Sequence, residues 1–181
     1  MTQTKPVVKR GNQPNQPPNQ PVADAPANTP SVKPHTRPGR KTRRRQAREL
    51  ALQGLYQWCV AGGTAEAIEA QLHETREFPK TDEEYFSGLL RGVLGNVPQL
   101  EKQIQPYLDR PLKELSPVEI SILLLGTHEL ESHPEIPYRA IINEAVELAK
   151  TYGGTHGHKY VNGVLDKLAA KLRAAEVSAK F

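Results

Sequence analysis

The chain has 181 residues, a formal net charge of +4 and one cysteine, Cys59. A single thiol excludes an internal disulfide and a thiolate-rich zinc site, which suits a reducing cytoplasm. No stretch approaches the roughly 20 apolar residues of a membrane span, and the N-terminus lacks the apolar core of a secretory signal.

Residues 1–39 hold nine of the sixteen prolines, eight Asn or Gln, and no Phe, Trp, Tyr, Leu or Ile. Such a segment cannot bury enough apolar surface to offset the entropy of ordering, so a disordered tail is expected. Residues 1–45 carry ten Lys or Arg against the single acid Asp24, a balance of +9; since the whole chain is +4, residues 46–181 carry −5. A basic arm on a mildly acidic body suits a polyanionic partner, the plainer alternative being a solubilising tail. From Arg40 the composition turns to Leu, Ala, Val and Ile over the length of one ordinary domain, expected to span residues 40–175 with a short tail at 176–181.

Six helical segments and no strand pattern are expected, an all-α bundle. The first runs from about Lys41 to Val60: Ala47, Leu50, Ala51, Gly54, Leu55 and Trp58 fall on one face, and Gly62-Gly63 end it. A short helix follows, with Thr64 as N-cap and Ile68 and Leu72 facing inward. The third opens on Thr81-Asp82-Glu83-Glu84, read as a capping box, and buries Tyr85, Phe86, Leu89, Leu90, Val93 and Leu94. Asn96 and Pro98 bend or break it before Leu100, Ile104 and Leu108 continue the pattern and Pro106 and Pro111 close it.

Ser116-Pro117-Val118-Glu119 is a strong start signal: a Ser cap, Pro where no amide is needed, and Glu completing a box. The helix it opens, to about Glu131, is apolar nearly all round and should be the central one. Pro137–Tyr152 buries Tyr138, Ile141, Ile142, Ala145, Leu148 and Ala149 and stops at Gly153-Gly154, read as a left-handed cap. The last segment, about His158 to Arg173, buries Val161, Val164, Leu165, Leu168 and Leu172. Short links imply antiparallel neighbours. Gly54, Gly88, Gly92, Gly126 and Gly163 interrupt these helices at about 1 kcal/mol each relative to Ala, and close helix crossings are the expected compensation.

The chemistry concentrates at Arg43, Arg44, Arg45 and Arg48 on the first turns of the first helix. Cations there oppose the helix dipole, whereas a phosphate would meet guanidinium groups and free first-turn amides together. Tyr107, Tyr152 and Tyr160, the last directly after Lys159, lie near helix ends and are candidate stacking platforms for RNA bases, core packing being the alternative for each. His156-Gly157-His158 has no third metal ligand in register. No HExxH, phosphate-cradling GxxxxGK, GxGxxG after a strand, or nucleophile elbow is present. Glu144 and Glu147 read as a solvated or partner-facing surface, so neither an enzyme nor a cofactor is expected.

Three blocks, spread between about Arg43 and Arg173, resemble the NusB family: RRRQARELALQGLY at 43–56; SPVE at 116–119 leading to His128-Glu129-Leu130; and Ile136-Pro137-Tyr138 through INEAVELAK at 142–150. The last block continues into His158 and KYVNGVLDK at 159–167. The resemblance implies two packed three-helix subdomains and binding of boxA RNA from ribosomal RNA leaders. It also implies pairing with the small-subunit ribosomal protein NusE, within an antitermination complex with RNA polymerase and other Nus factors. Carried over, the family's Arg-rich start falls on Arg43, Arg44, Arg45 and Arg48, and its ring-bearing RNA positions on Tyr107, Tyr152 and Tyr160, with Lys159 alongside; Tyr56 and Glu119 match partner-binding positions. The family often has Phe at 152 and 160, a change that keeps stacking, and often an acid where His156 stands. Alternative uses of such a fold are the RNA-binding module of a ribosomal RNA methyltransferase, which needs a fused catalytic domain, and a helical scaffold that binds only protein.

Overall fold

The computed structural model describes residues 39–179. The expected disordered tail therefore lies, apart from Gly39, outside the described residues, as do Lys180 and Phe181. The described chain forms eight α-helices: α1 (Arg40–Ala61), α2 (Ala65–His73), α3 (Glu83–Leu94), α4 (Val97–Ile104), α5 (Pro117–Ser132), α6 (Tyr138–Tyr152), α7 (Gly157–Leu172) and α8 (Ala174–Ser178). Short 3₁₀ turns occur at Phe78–Lys80, Gln105–Tyr107 and Leu112–Glu114, and there is no strand among the described residues. None of the described helices is long and apolar enough to cross a membrane.

Two helices exceed the six expected. Asn96, with φ −131° and ψ 17°, breaks the third segment, and Pro98 sits in the first turn of α4, where a missing amide costs nothing. At the other end Arg173 (φ −122°) interrupts α7, and the chain forms one further turn as α8. Residues 176–178, placed in the C-terminal tail by composition, are thus helical and anchored: the Glu176 carboxylate accepts from the Tyr138 amide at 2.9 Å and from Arg173 Nη1 at 3.0 Å.

Caps follow the sequence at α2 and α5. Thr64 Oγ1 accepts from the Ala67 amide at 3.3 Å, and Ser116 and Glu119 close a reciprocal box at 3.2 and 3.0 Å. At α3 the reading shifts by one residue: Asp82, not Thr81, is the cap, its Oδ1 accepting from the Tyr85 amide at 3.3 Å. The preceding 3₁₀ turn engages Thr81, whose hydroxyl donates to the Glu77 carbonyl at 3.2 Å. Gly153 does not form the expected left-handed cap, since its φ is −89°; positive φ occurs at Gly62 and Gly63, where α1 ends.

Helix α5 is the centre, buried from Ser121 through Leu130. Helices α1 and α3 pack together with α2 against them, α6 and α7 pack together, and α5 touches α1 and α3 as well as α6 and α7. The result is the expected pair of three-helix groups, α1-α2-α3 and α5-α6-α7, with α4 seated on α5 and α7. Close crossings account for three of the five interior glycines. A Cβ at Gly54 would lie 2.9 Å from Leu90 Cδ1, one at Gly126 would lie 2.9 Å from Leu165 Cδ1, and one at Gly92 would enter the His128 ring. Gly88 and Gly163 face open space, so that explanation does not extend to them.

One ionic contact runs through this core. The Nε of Arg48, 5% exposed, donates to both carboxylate oxygens of Glu129, 2% exposed, at 3.0 Å each, while Nη2 donates to Oε1 at 2.8 Å. Arg48 Nη2 also donates to the Tyr85 hydroxyl at 2.9 Å, and that hydroxyl donates to Glu129. Burial alone would lower the Arg48 pKa, but the charge and hydrogen bonds of Glu129, helped by Tyr85 and Glu144, together outweigh it and hold the guanidinium protonated; burial and the same carboxylate push Tyr85 up. Side chains from α1, α3 and α5 are thereby locked to one another.

Two stability tests follow from these contacts. Gly92→Ala should lower unfolding free energy by about 1–3 kcal/mol through overpacking against His128, while Gly88→Ala, in open space, should raise it by up to about 1 kcal/mol; urea titration reads both. Glu129→Leu alone strands a buried cation and should cost about 3–5 kcal/mol, most of it regained in Arg48→Met/Glu129→Leu. A double variant no more stable than the single one would show that the pair is worth more than apolar packing at that site.

Candidate nucleic-acid interface

The start of α1 is electrostatically uncompensated within its own helix. Gly39 supplies no side-chain cap and the first turn has no acid, so the positive end of the helix dipole adds to the arginine charges. The fold then divides the four arginines. Arg43 and Arg45 face outward: Arg43 Nη2 donates to the Thr81 carbonyl at 2.7 Å, and the Arg45 side chain, 49% exposed, lies 3.5 Å from Glu49. Arg44 is half-buried, its guanidinium 4.7 Å over the Tyr85 ring and its Nε 3.7 Å from Asp82.

Arg48 departs from the expected RNA surface. It is buried, and its Nε and Nη2 are engaged by Glu129 and Tyr85, so it lies off the exposed surface. The sequence carried a signal for this: Leu52 and Leu55 stand four and seven residues after Arg48, on its face of the helix. Glu129, in the apolar central helix, was the matching buried acid.

A groove of about 550 Å³ opens beside α1, lined by Gln46, Glu49, Gln53, Tyr56, Val118 and Tyr152 among others. Tyr152, the last residue of α6, is half exposed and lies near Arg45 and Glu49; burial and the Glu49 charge push its hydroxyl up. Tyr56 is also well exposed. The structure thus brings Tyr152 and Tyr56 to one groove, with the Arg45 charge near Tyr152. Glu147 of α6 is tied to Lys150 at 2.7 Å, and that ion pair, helped by Arg45, holds its carboxyl below the usual range.

The remaining residues gather at the far end of α5. Helices α1 and α5 run antiparallel, since Arg48 meets Glu129 while Cys59 lies 3.6 Å from Ser121. Glu119, whose carboxylate completes the α5 cap, also adjoins Gly157 at the start of α7. Lys159 is exposed on the first turn of α7, and Tyr160 and Tyr107 are half-buried against the core. Ten residues of α5 between Glu119 and Glu129 span about 15 Å. The candidate residues therefore lie toward the two ends of α5 rather than in a single pocket. His156 is exposed just before α7, and no cluster of three or more potential metal ligands occurs among the described residues.

Arg110 escaped the sequence reading. Its guanidinium lies 5.0 Å over the Tyr160 ring, yet it stands in an irregular link with no helical periodicity to flag it. Only the packing of α7 brings the two together.

Comparison with known proteins places this arrangement. Residues 45–170 match the model of the NusB family. Transcription antitermination protein NusB of Nitrosospira multiformis is 82% identical over 134 residues, covering 74% of this chain and 85% of that protein. The NusB of Azoarcus sp. is 58% identical over 135 residues, covering 74% and 87%. Among solved structures, T. maritima NusB superimposes with a TM-score of 0.64 at 30% identity, covering 70% of this chain and 90% of that one. A crystal structure of antitermination factors NusB and NusE in complex with dsRNA superimposes at 0.62 and 23% identity, covering 70% and 96%, a likeness of fold alone. With a family match across most of the described helices and relatives of this similarity, the chain belongs to the NusB family of transcription antitermination proteins.

Proposed function

We propose that this transcription antitermination factor binds boxA-type single-stranded RNA of ribosomal RNA leaders together with the ribosomal protein NusE. It then acts in the cytoplasm, within the antitermination complex formed with RNA polymerase and the other Nus factors. Members of this family are not enzymes, and the proposed role is recognition and assembly. The RNA-binding unit is the helical domain of residues 40–178.

The observation that carries this reading is the outward pair Arg43 and Arg45 on an acid-free helix start, beside the half-exposed ring of Tyr152. Phosphates fit the guanidinium groups and the uncompensated helix end; a splayed base fits Tyr152. Lys159 adds positive charge toward the far end of α5, and Arg44 adds charge from its seat on Tyr85. Arg48 is left out for its burial. Tyr107 and Tyr160 lie toward that same end, where their half-buried rings shape the surface. Tyr56, across the groove, and Glu119, at the start of α5, make the partner-facing side. Complex formation between a related NusB, NusE and dsRNA supports pairing with NusE on an RNA ligand.

On single-stranded RNA, log K against log salt should fall with a slope of about −2 to −3, at about 0.7 per neutralised phosphate, and Arg43→Ala/Arg45→Ala should flatten it by about 1.4. An unchanged slope would remove the start of α1 from the RNA site. Titrations with the ribosomal-protein partner should show it raising RNA affinity by the same factor by which RNA raises partner affinity. Independent binding would contradict joint recognition, and equal binding of boxA-type, scrambled and duplex RNA would contradict sequence-selective recognition of single strands.

A further inference from the structure

The link between α4 and α5 places an arginine and a carboxylate toward the far end of α5. Arg110 Nε donates to Asp109 Oδ1 at 2.9 Å and Nη2 to Oδ2 at 3.4 Å, and both side chains are exposed. The same guanidinium lies 5.0 Å from the centre of the Tyr160 ring. Tyr160 packs against the hydrophobic core, and its buried hydroxyl has no hydrogen bond of good geometry although Asp109 lies beside it. Arg110 therefore covers the ring on which a base would otherwise stack.

We propose that Arg110, rather than the Tyr160 ring, is the RNA contact at this end, and that Asp109 is an internal competitor which an RNA phosphate displaces. The inference rests on the RNA-binding reading above and assigns the groups that serve it. A guanidinium held against an aromatic face is restricted in orientation, so less freedom is lost when it engages an anion. Its pairing with Asp109 joins adjacent exposed residues, which makes it a weak, screened ion pair. A phosphodiester offers two oxygens to the same nitrogen fork, and the exposed ammonium of Lys159, next to Tyr160 in the chain, adds charge. One anion replaces another, and the ring keeps the arginine in place throughout. Asp109 also repels unproductive anions, so the site favours a polyanion already held by the start of α1.

The test is fluorescence anisotropy of the full chain with a labelled single-stranded boxA-type RNA across a salt series, with partner protein present and absent. Arg110→Ala should weaken binding about tenfold and make the salt slope shallower by about 0.7. Asp109→Asn should tighten binding about two- to fivefold, a gain that misfolding cannot produce. Wild-type affinity and slope in Arg110→Ala, or no gain in Asp109→Asn, overturns the proposal. Arg43→Ala/Arg45→Ala is the reference: if it weakens binding while the variants at 109 and 110 do nothing, this inference alone fails. If the wild-type chain ignores the RNA even with its partner, the functional reading fails as well.

Discussion

The buried contact between Arg48 and Glu129 sets the rotation of α1, and the character of the surface follows from that rotation. With Arg48 turned inward onto Glu129 and Tyr85, Arg44 lies one turn earlier on the same side and comes to rest over Tyr85. Arg43 and Arg45 are then carried to either side of that line and into solvent. A block of like charges in the sequence thus becomes two inward-turned residues and two exposed ones. The cost of desolvating a buried ion pair is offset by its hydrogen-bond geometry, and its structural return is a fixed register between α1, α3 and α5. Apolar side chains could slide more readily along one another, whereas a three-way polar contact has one satisfactory arrangement.

The outward charges are themselves partly neutralised in the free protein. Arg45 has Glu49 and Arg110 has Asp109. Exposed pairs of this kind are weak, so they reduce the repulsion among arginines at a positive helix end without closing the surface to a stronger anion. They also impose a small penalty on any polyanion that docks. A ligand that engages several positions at once overcomes it, while an isolated anion meets the penalty with little return. Selectivity for a continuous backbone over scattered phosphate can arise in this way before any base is read.

Much of this fold was legible in the residues, and the misreadings share a cause. The Ser116-Pro117-Val118-Glu119 start was read correctly because every contact in it is local. The start of α3 was displaced by one residue because a 3₁₀ turn captured Thr81, and such turns leave no periodic trace. Gly92 was expected to mark a close crossing and does, yet Gly88, four residues earlier, looks identical in sequence and faces open space. Arg48 belongs to a basic run that reads as ligand surface, yet its spacing to Leu52 and Leu55 places it on a buried face. Arg110 could not be found at all, since its partner Tyr160 is fifty residues away in sequence. Local capping and periodicity are written in the chain, whereas the sorting of charges between inside and outside depends on which distant side chain answers each one.

That sorting also bears on why such a protein would act with a companion. Of the three tyrosines that resemble RNA-contacting positions, only Tyr152 has about half its surface open, while Tyr107 and Tyr160 are held against the core. On the proposed reading, one open ring would contribute about 1–3 kcal/mol of base stacking, and a few screened arginines and Lys159 would supply a salt-sensitive remainder. Contacts this few, divided between the two ends of α5, would bind a flexible strand only modestly because the strand must also be ordered. A second protein seated beside the groove containing Tyr56 and Val118 would supply further contacts to the same strand, and the ordering cost would then be shared between the two proteins. The geometry of this chain, with its exposed charges partly neutralised, is what joint recognition would require of each participant.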